Sequence, residues 1–113
     1  KDYDKAMPLL HQVEYDDTLM TLNARTMLMK MYYELNEFNA LDSLLESMRM
    51  YMRRKKFIGY HKLNFKNIIR LTKKLANVNP YDPKQTKQLQ ADIENANPLT
   101  EKRWLLAQVE SIS

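Results

Sequence analysis

Tyr32-Tyr33-Glu34-Leu35-Asn36-Glu37-Phe38-Asn39-Ala40-Leu41 is the stretch that decides the fold. An apolar run with helical spacing stops at Asn36, and a second run begins almost at once. Asn36 stands where a left-handed residue ends a helix. Gly is favoured there and Asn is the usual substitute, because its short polar side chain bonds locally. A weaker copy of the joint, Lys1-Asp2-Tyr3-Asp4-Lys5-Ala6, opens the chain, with Tyr3 placed 35 residues before Phe38. A helix–turn–helix joint that recurs at such a period is the sequence mark of a helical repeat array.

Composition points the same way. The chain has 113 residues, 44% hydrophobic and 28% charged, enough for one domain with a core. One Gly and four Pro are too few turn residues for a β-rich fold of this length. Eight Met and many other straight-chain residues lose little rotamer freedom in a helix. The expected class is all-α. There is no Cys, which removes disulfides and thiolate metal sites. No apolar run approaches the roughly 18 residues of a membrane span, so none is expected. No signal-peptide pattern opens the chain, and it begins mid-repeat without Met. It therefore reads as a piece of a longer protein, with a cytoplasmic setting as the working expectation.

Working outward from the joint, the periodicity predicts six helices, over residues 2–13, 17–35, 37–54, 59–77, 83–95 and 98–111. The segment 17–35 is apolar nearly all round, with a narrow polar wedge at Asn23, Thr26, Lys30 and Glu34. A helix of that kind is expected to pack on two sides. The segment 37–54 is amphipathic, with Phe38, Leu41, Leu44, Leu45, Met48, Tyr51 and Met52 on one face. Gly59, the single glycine, marks a turn before the segment 59–77. Asp82 and Pro83 predict a cap and first residue for the fifth helix, as do Asn97 and Pro98 for the sixth. The fifth, with only Leu89, Ile93 and Ala96 on its apolar side, is expected to be peripheral.

The paired tyrosines Tyr32 and Tyr33, the turn at Asn36 and the aromatic Phe38 resemble the hinge of a tetratricopeptide repeat. Tyr3 and Ala6 look like the same point of a preceding repeat, with Ala6 matching the small residue at which two helices cross. The likeness covers residues 1–54 best. Residues 83–112 would then form a capping pair, which an open array needs to end its core. The chain also resembles the tail of longer bacterial proteins of this repeat type. Met29 and Leu41 stand where the family has small residues, and the spacing of 35 departs from the usual period of about 34. The resemblance implies a single domain over residues 1–113, built of antiparallel hairpins stacked as a short right-handed superhelix.

No catalytic arrangement is present in the sequence, and no enzyme activity or cofactor is expected. His11 and His61 are the only histidines, and neither lies at ligand spacing from a second ligand type. His61 falls on the core-facing arc of its helix and is expected to be a core histidine. Asp16-Asp17 is better explained by capping than by acid–base chemistry. The run Met27, Leu28, Met29 and Met31 fits an adaptable binding surface or, at helical spacing, core.

Charge is the stronger signal. Residues 1–50 carry nine acids against five bases, whereas residues 51–80 carry nine bases and no acid. Lys62, Lys66, Arg70 and Lys73 fall within about 80° on one side of their helix. In the family, the polar strip of each first helix lines an inner groove that holds extended peptides. Carried onto this chain, that strip is Asn23, Thr26, Lys30, Tyr33 and Glu34, continued by Lys62, Lys66, Arg70 and Lys73. The family's carboxylate-gripping pattern is incomplete, because Thr26 stands where it has a Lys. The expected function is a non-enzymatic interaction scaffold whose basic groove takes an acidic protein or peptide segment. The alternatives are nucleic-acid binding through Arg53, Arg54, Lys55, Lys56 and the basic helix, a structural spacer or self-association element, and a merely solvated basic face.

Overall fold

A computed structural model describes residues 18–55 and 59–113 of the chain. Among these residues all regular structure is helical and there is no strand. Five helices follow in order: α1 (Thr18–Glu34), α2 (Phe38–Arg54), α3 (Gly59–Asn77), α4 (Pro83–Asn95) and α5 (Lys102–Ile112). The predicted helix over 2–13, together with Ala6, His11, Asp16 and Asp17, lies outside the described residues. The chain divides into two compact units, Lys1–Phe57 and Ile58–Ser113.

In the first unit α1 and α2 form an antiparallel hairpin. The joint closes as the sequence predicts. Asn36 has φ 60°, in the left-handed region. The Asn36 N–H donates to the Tyr33 carbonyl at 3.1 Å, and the Glu37 N–H to the Tyr32 carbonyl at 2.9 Å. These two bonds satisfy carbonyls that the last turn of α1 would otherwise leave open. Tyr33 and Phe38 meet edge to face across the turn, centroids 5.7 Å apart. The core of the hairpin is Leu22, Met29, Leu41 and Met48, with Leu28, Leu45 and Met52 beside them. Each such side chain contributes about 1.5–3 kcal/mol by leaving water.

The sequence predicts a helix packed on two sides; among the described residues α1 packs on α2, and part of its apolar surface faces outward. Met20 and Met27 are 51% and 49% exposed, and with Asn23 they form an outward strip. Periodicity counts every Met as core. The flexible thioether nevertheless sits at a half-wet position at small cost.

In the second unit α3, α4 and α5 pack on one another in all three pairings. Ile68, Leu71, Ile93 and Leu105 are fully buried at their centre. Thus α4 is a wall of this core and not a peripheral helix. Leu89, Ile93 and Ala96, at four- and three-residue steps, are all buried, so one narrow apolar stripe serves two neighbours. Asp82 caps α4, its carboxylate accepting the Lys84 N–H at 3.0 Å, with Pro83 in the first turn. Gly59 is the first residue of α3 and has an ordinary negative φ, so its lack of a Cβ is not needed there.

The sixth predicted helix begins four residues late, at Lys102 instead of Pro98. The reason lies in α3. The Asn67 amide donates to the Pro98 carbonyl at 2.9 Å. Asn64 accepts the Thr100 N–H at 2.8 Å and donates to the Thr100 hydroxyl at 3.0 Å. The Pro98 carbonyl, which a helix starting there would turn to the Lys102 N–H, is taken by a buried amide of α3, and the Lys102 N–H donates to the Leu99 carbonyl instead, at 3.3 Å.

Two stability predictions follow from these contacts. Asn36→Ala forces a Cβ with no polar compensation into the left-handed region and lowers stability by about 1 kcal/mol, whereas Asn36→Gly does not; urea midpoints read by circular dichroism distinguish the two. The Thr72 side chain is fully buried and its hydroxyl has no hydrogen-bond partner among the described residues. Thr72→Val removes that unmet group and is expected to raise stability by about 1 kcal/mol, read as a higher urea midpoint.

Candidate functional site

The burial of α3 sets the site. Asn64, Phe65, Asn67, Ile68, Ile69, Leu71, Thr72 and Leu75 turn inward. At 100° per residue they occupy a little over half the circumference. The remaining arc is left to Lys62, Leu63, Lys66, Arg70, Lys73, Lys74 and Asn77, all exposed. From Lys62 to Lys73 this face extends about 16 Å along the axis. Among the described residues no carboxylate pairs with Lys62, Lys66 or Lys73. Like charges four residues apart cost a helix about 0.2–0.5 kcal/mol each. The stripe therefore weakens the helix that carries it.

Arg70 and Lys74 border Asp92 of α4. Lys74 Nζ lies 3.2 Å from the Asp92 carboxylate, and the Gln88 amide donates to the same group at 2.9 Å. The Gln88 bond acts most strongly on the Asp92 carboxyl and lowers it; burial opposes this, and the Lys74 bond and charge and then the Arg70 charge add to the lowering, so the group is held below the usual carboxylate range. Arg70 is further steadied by the Asn67 side-chain oxygen at 3.3 Å. Between the end of α3 and α4 opens a cleft of about 330 Å³, in which Val78 and Leu89 supply apolar lining beside Asn77, Gln85 and the Lys74–Asp92 pair.

The strip on α1 is less uniform than the sequence predicts. Asn23 is exposed, and Lys30, Tyr33 and Glu34 are half-buried. Burial pushes the Tyr33 phenol up. Thr26 does not line a groove: it is 3% exposed, and its hydroxyl donates to the Leu22 carbonyl at 2.8 Å. A threonine can satisfy its own hydroxyl one turn back, so burying it costs little. The outward position falls to Met27 instead. In the same unit the Tyr51 ring lies beneath two cations, Arg25 at 5.8 Å and Lys55 at 5.5 Å.

His61 is half-buried and not a core residue, because it sits in the opening turn of α3. Its ring meets that of exposed Tyr60 at 88°, with centroids 5.6 Å apart. Among the described residues no group of three or more His, Asp or Glu side chains could hold a metal ion. No helix there is long and apolar enough to cross a membrane.

The sequence reading missed Lys74, the Gln88–Asp92 pair and the cleft. The first two were signalled: Lys74 follows Arg70 by four residues, as Asp92 follows Gln88. The cleft was not, since it depends on how α4 leans on α3. The chain matches no protein-family model, no curated protein and no solved structure.

A group whose folded pKa is depressed stabilises above its unfolded pKa and loses that contribution as pH falls through its folded one. Asp92→Asn is thus expected to lower stability near neutrality, and the gap to the unaltered chain should close as pH drops below about 4. Denaturant unfolding across that window measures it.

Proposed function

We propose that the chain is a tetratricopeptide-like interaction module, without enzyme activity of its own, whose basic α3 face holds an acidic segment of another protein. The supporting observation is the α3 arc itself: four cations, Lys62, Lys66, Arg70 and Lys73, all exposed, three of them without a carboxylate partner among the described residues. Carboxylates arriving on this face would relieve repulsion already present in the free protein, and charge-assisted bonds of this kind are the stronger ones. The hinge at Asn36 and the α1–α2 hairpin favour the repeat reading, in which hairpins stack as a right-handed superhelix.

An acidic peptide is favoured over nucleic acid by what lies among the cations. Unstructured nucleic acid is gripped by rings on which bases stack. The arc from Lys62 to Lys74 carries Leu63 and no ring, and Tyr60 stands before the first cation.

The test is fluorescence anisotropy of a labelled glutamate-rich peptide with the unaltered chain and with Lys62→Glu/Arg70→Glu. The double variant is expected to bind about tenfold or more weakly, since reversed charges place like against like. Equal affinity for both proteins overturns the reading. Tighter binding of a mixed-sequence single-stranded oligonucleotide, lost in the same variant, transfers the face to nucleic acid.

A further inference from the structure

The basic face does not end at Lys73. Lys74 and Asn77 belong to its arc and also line the cleft between α3 and α4. Arg70 sits on the stripe and is close enough to Asp92, at the cleft, to lower that carboxyl. Stripe and cleft are therefore one continuous surface within the second unit.

The cleft differs from the stripe in chemistry. At about 330 Å³ it is at the small end of ligand sites. Its acid is paired with Lys74 and accepts a hydrogen bond from Gln88, so its charge is partly offset towards a neighbouring carboxylate. Val78 is half-buried and Leu89 is buried, which gives the cleft an apolar part that a bulky aliphatic group can cover.

One edge is built rigidly. Val78 and Gln85 both line the cleft, and the Asn79 N–H donates to the Gln85 side chain at 3.0 Å. The Tyr81 N–H donates to the Asn79 side chain at 3.0 Å, and the Asp82 N–H to the Asn79 carbonyl at 3.1 Å. This braced turn holds Tyr81 91% exposed.

We infer that the cleft forms an anchor subsite for one aliphatic side chain of the same acidic segment. This rests on the reading of the α3 face given above. The recognised segment then has two parts: carboxylates lying along Lys62, Lys66, Arg70 and Lys73, and a leucine-sized residue beyond them, seated against Val78 and Leu89. The stripe supplies attraction and the cleft supplies selection, since an aliphatic group gains there what a polar one does not.

The experiment uses the full chain and two labelled peptides, one glutamate-rich and carrying a single leucine beyond the acidic run, the other with serine in its place. The leucine peptide is expected to bind about tenfold more tightly, the usual worth of one well-seated apolar side chain. Val78→Gln, a change at a half-buried lining residue, should shrink that ratio to about threefold or less while leaving the affinity of the serine peptide unaltered. Equal binding of both peptides, still weakened by Lys62→Glu/Arg70→Glu, overturns the anchor and leaves the basic-face reading standing. Failure of the unaltered chain to bind either peptide overturns both. A leucine preference untouched by Val78→Gln also overturns the assignment, because the aliphatic group is then seated elsewhere.

Discussion

Burial of Ile68, Leu71 and Leu75 fixes the rotation of α3, and the surface of the second unit follows from that rotation. Once these side chains lie against α4 and α5, Lys62, Lys66, Arg70 and Lys73 have nowhere to go but outward. Each buried aliphatic contributes about 1.5–3 kcal/mol, and each like-charge pair costs at most about 0.5 kcal/mol. The core term wins by several-fold, so the helix tolerates a repulsive face. Rolling α3 to spread its charges would expose the core.

The same helix also determines where α5 begins. Asn64 and Asn67 lie on the buried arc although they are polar, and they are bonded to residues 98–100. A buried amide must find partners. Here the partners are the backbone of the incoming loop, which is thereby kept out of the helix until Lys102. Core packing and polar bonding thus act through one element, and its third side carries the exposed cations.

Much of this was legible in the sequence. The joint at Asn36 was readable because a left-handed residue has few chemical options there, and φ 60° agrees. Helix bounds at 59–77 and 83–95, and at 37–54 to within one residue, followed from period and caps. The arc of cations on α3 was visible because helical angle is a property of spacing alone. What failed depended on bonding and packing that spacing alone does not show. Thr26 turned inward because its hydroxyl is satisfied locally, and Met27 took its place outside. Asn97 and Pro98 carried a start signal that α3 overrode from 31 residues away. Three apolar residues on α4 looked too few for a core helix, because a sequence does not show that one stripe meets two neighbours.

The central claim is that the outward face of α3 is a place where an acidic partner sits. Backbone amide shifts of the full chain, followed by NMR during titration with a glutamate-rich peptide, test it most directly. The account predicts shifts that trace Lys62, Lys66, Arg70 and Lys73 and fade as salt is raised. Shifts confined to residues 18–55, or none at the lowest salt, would contradict it.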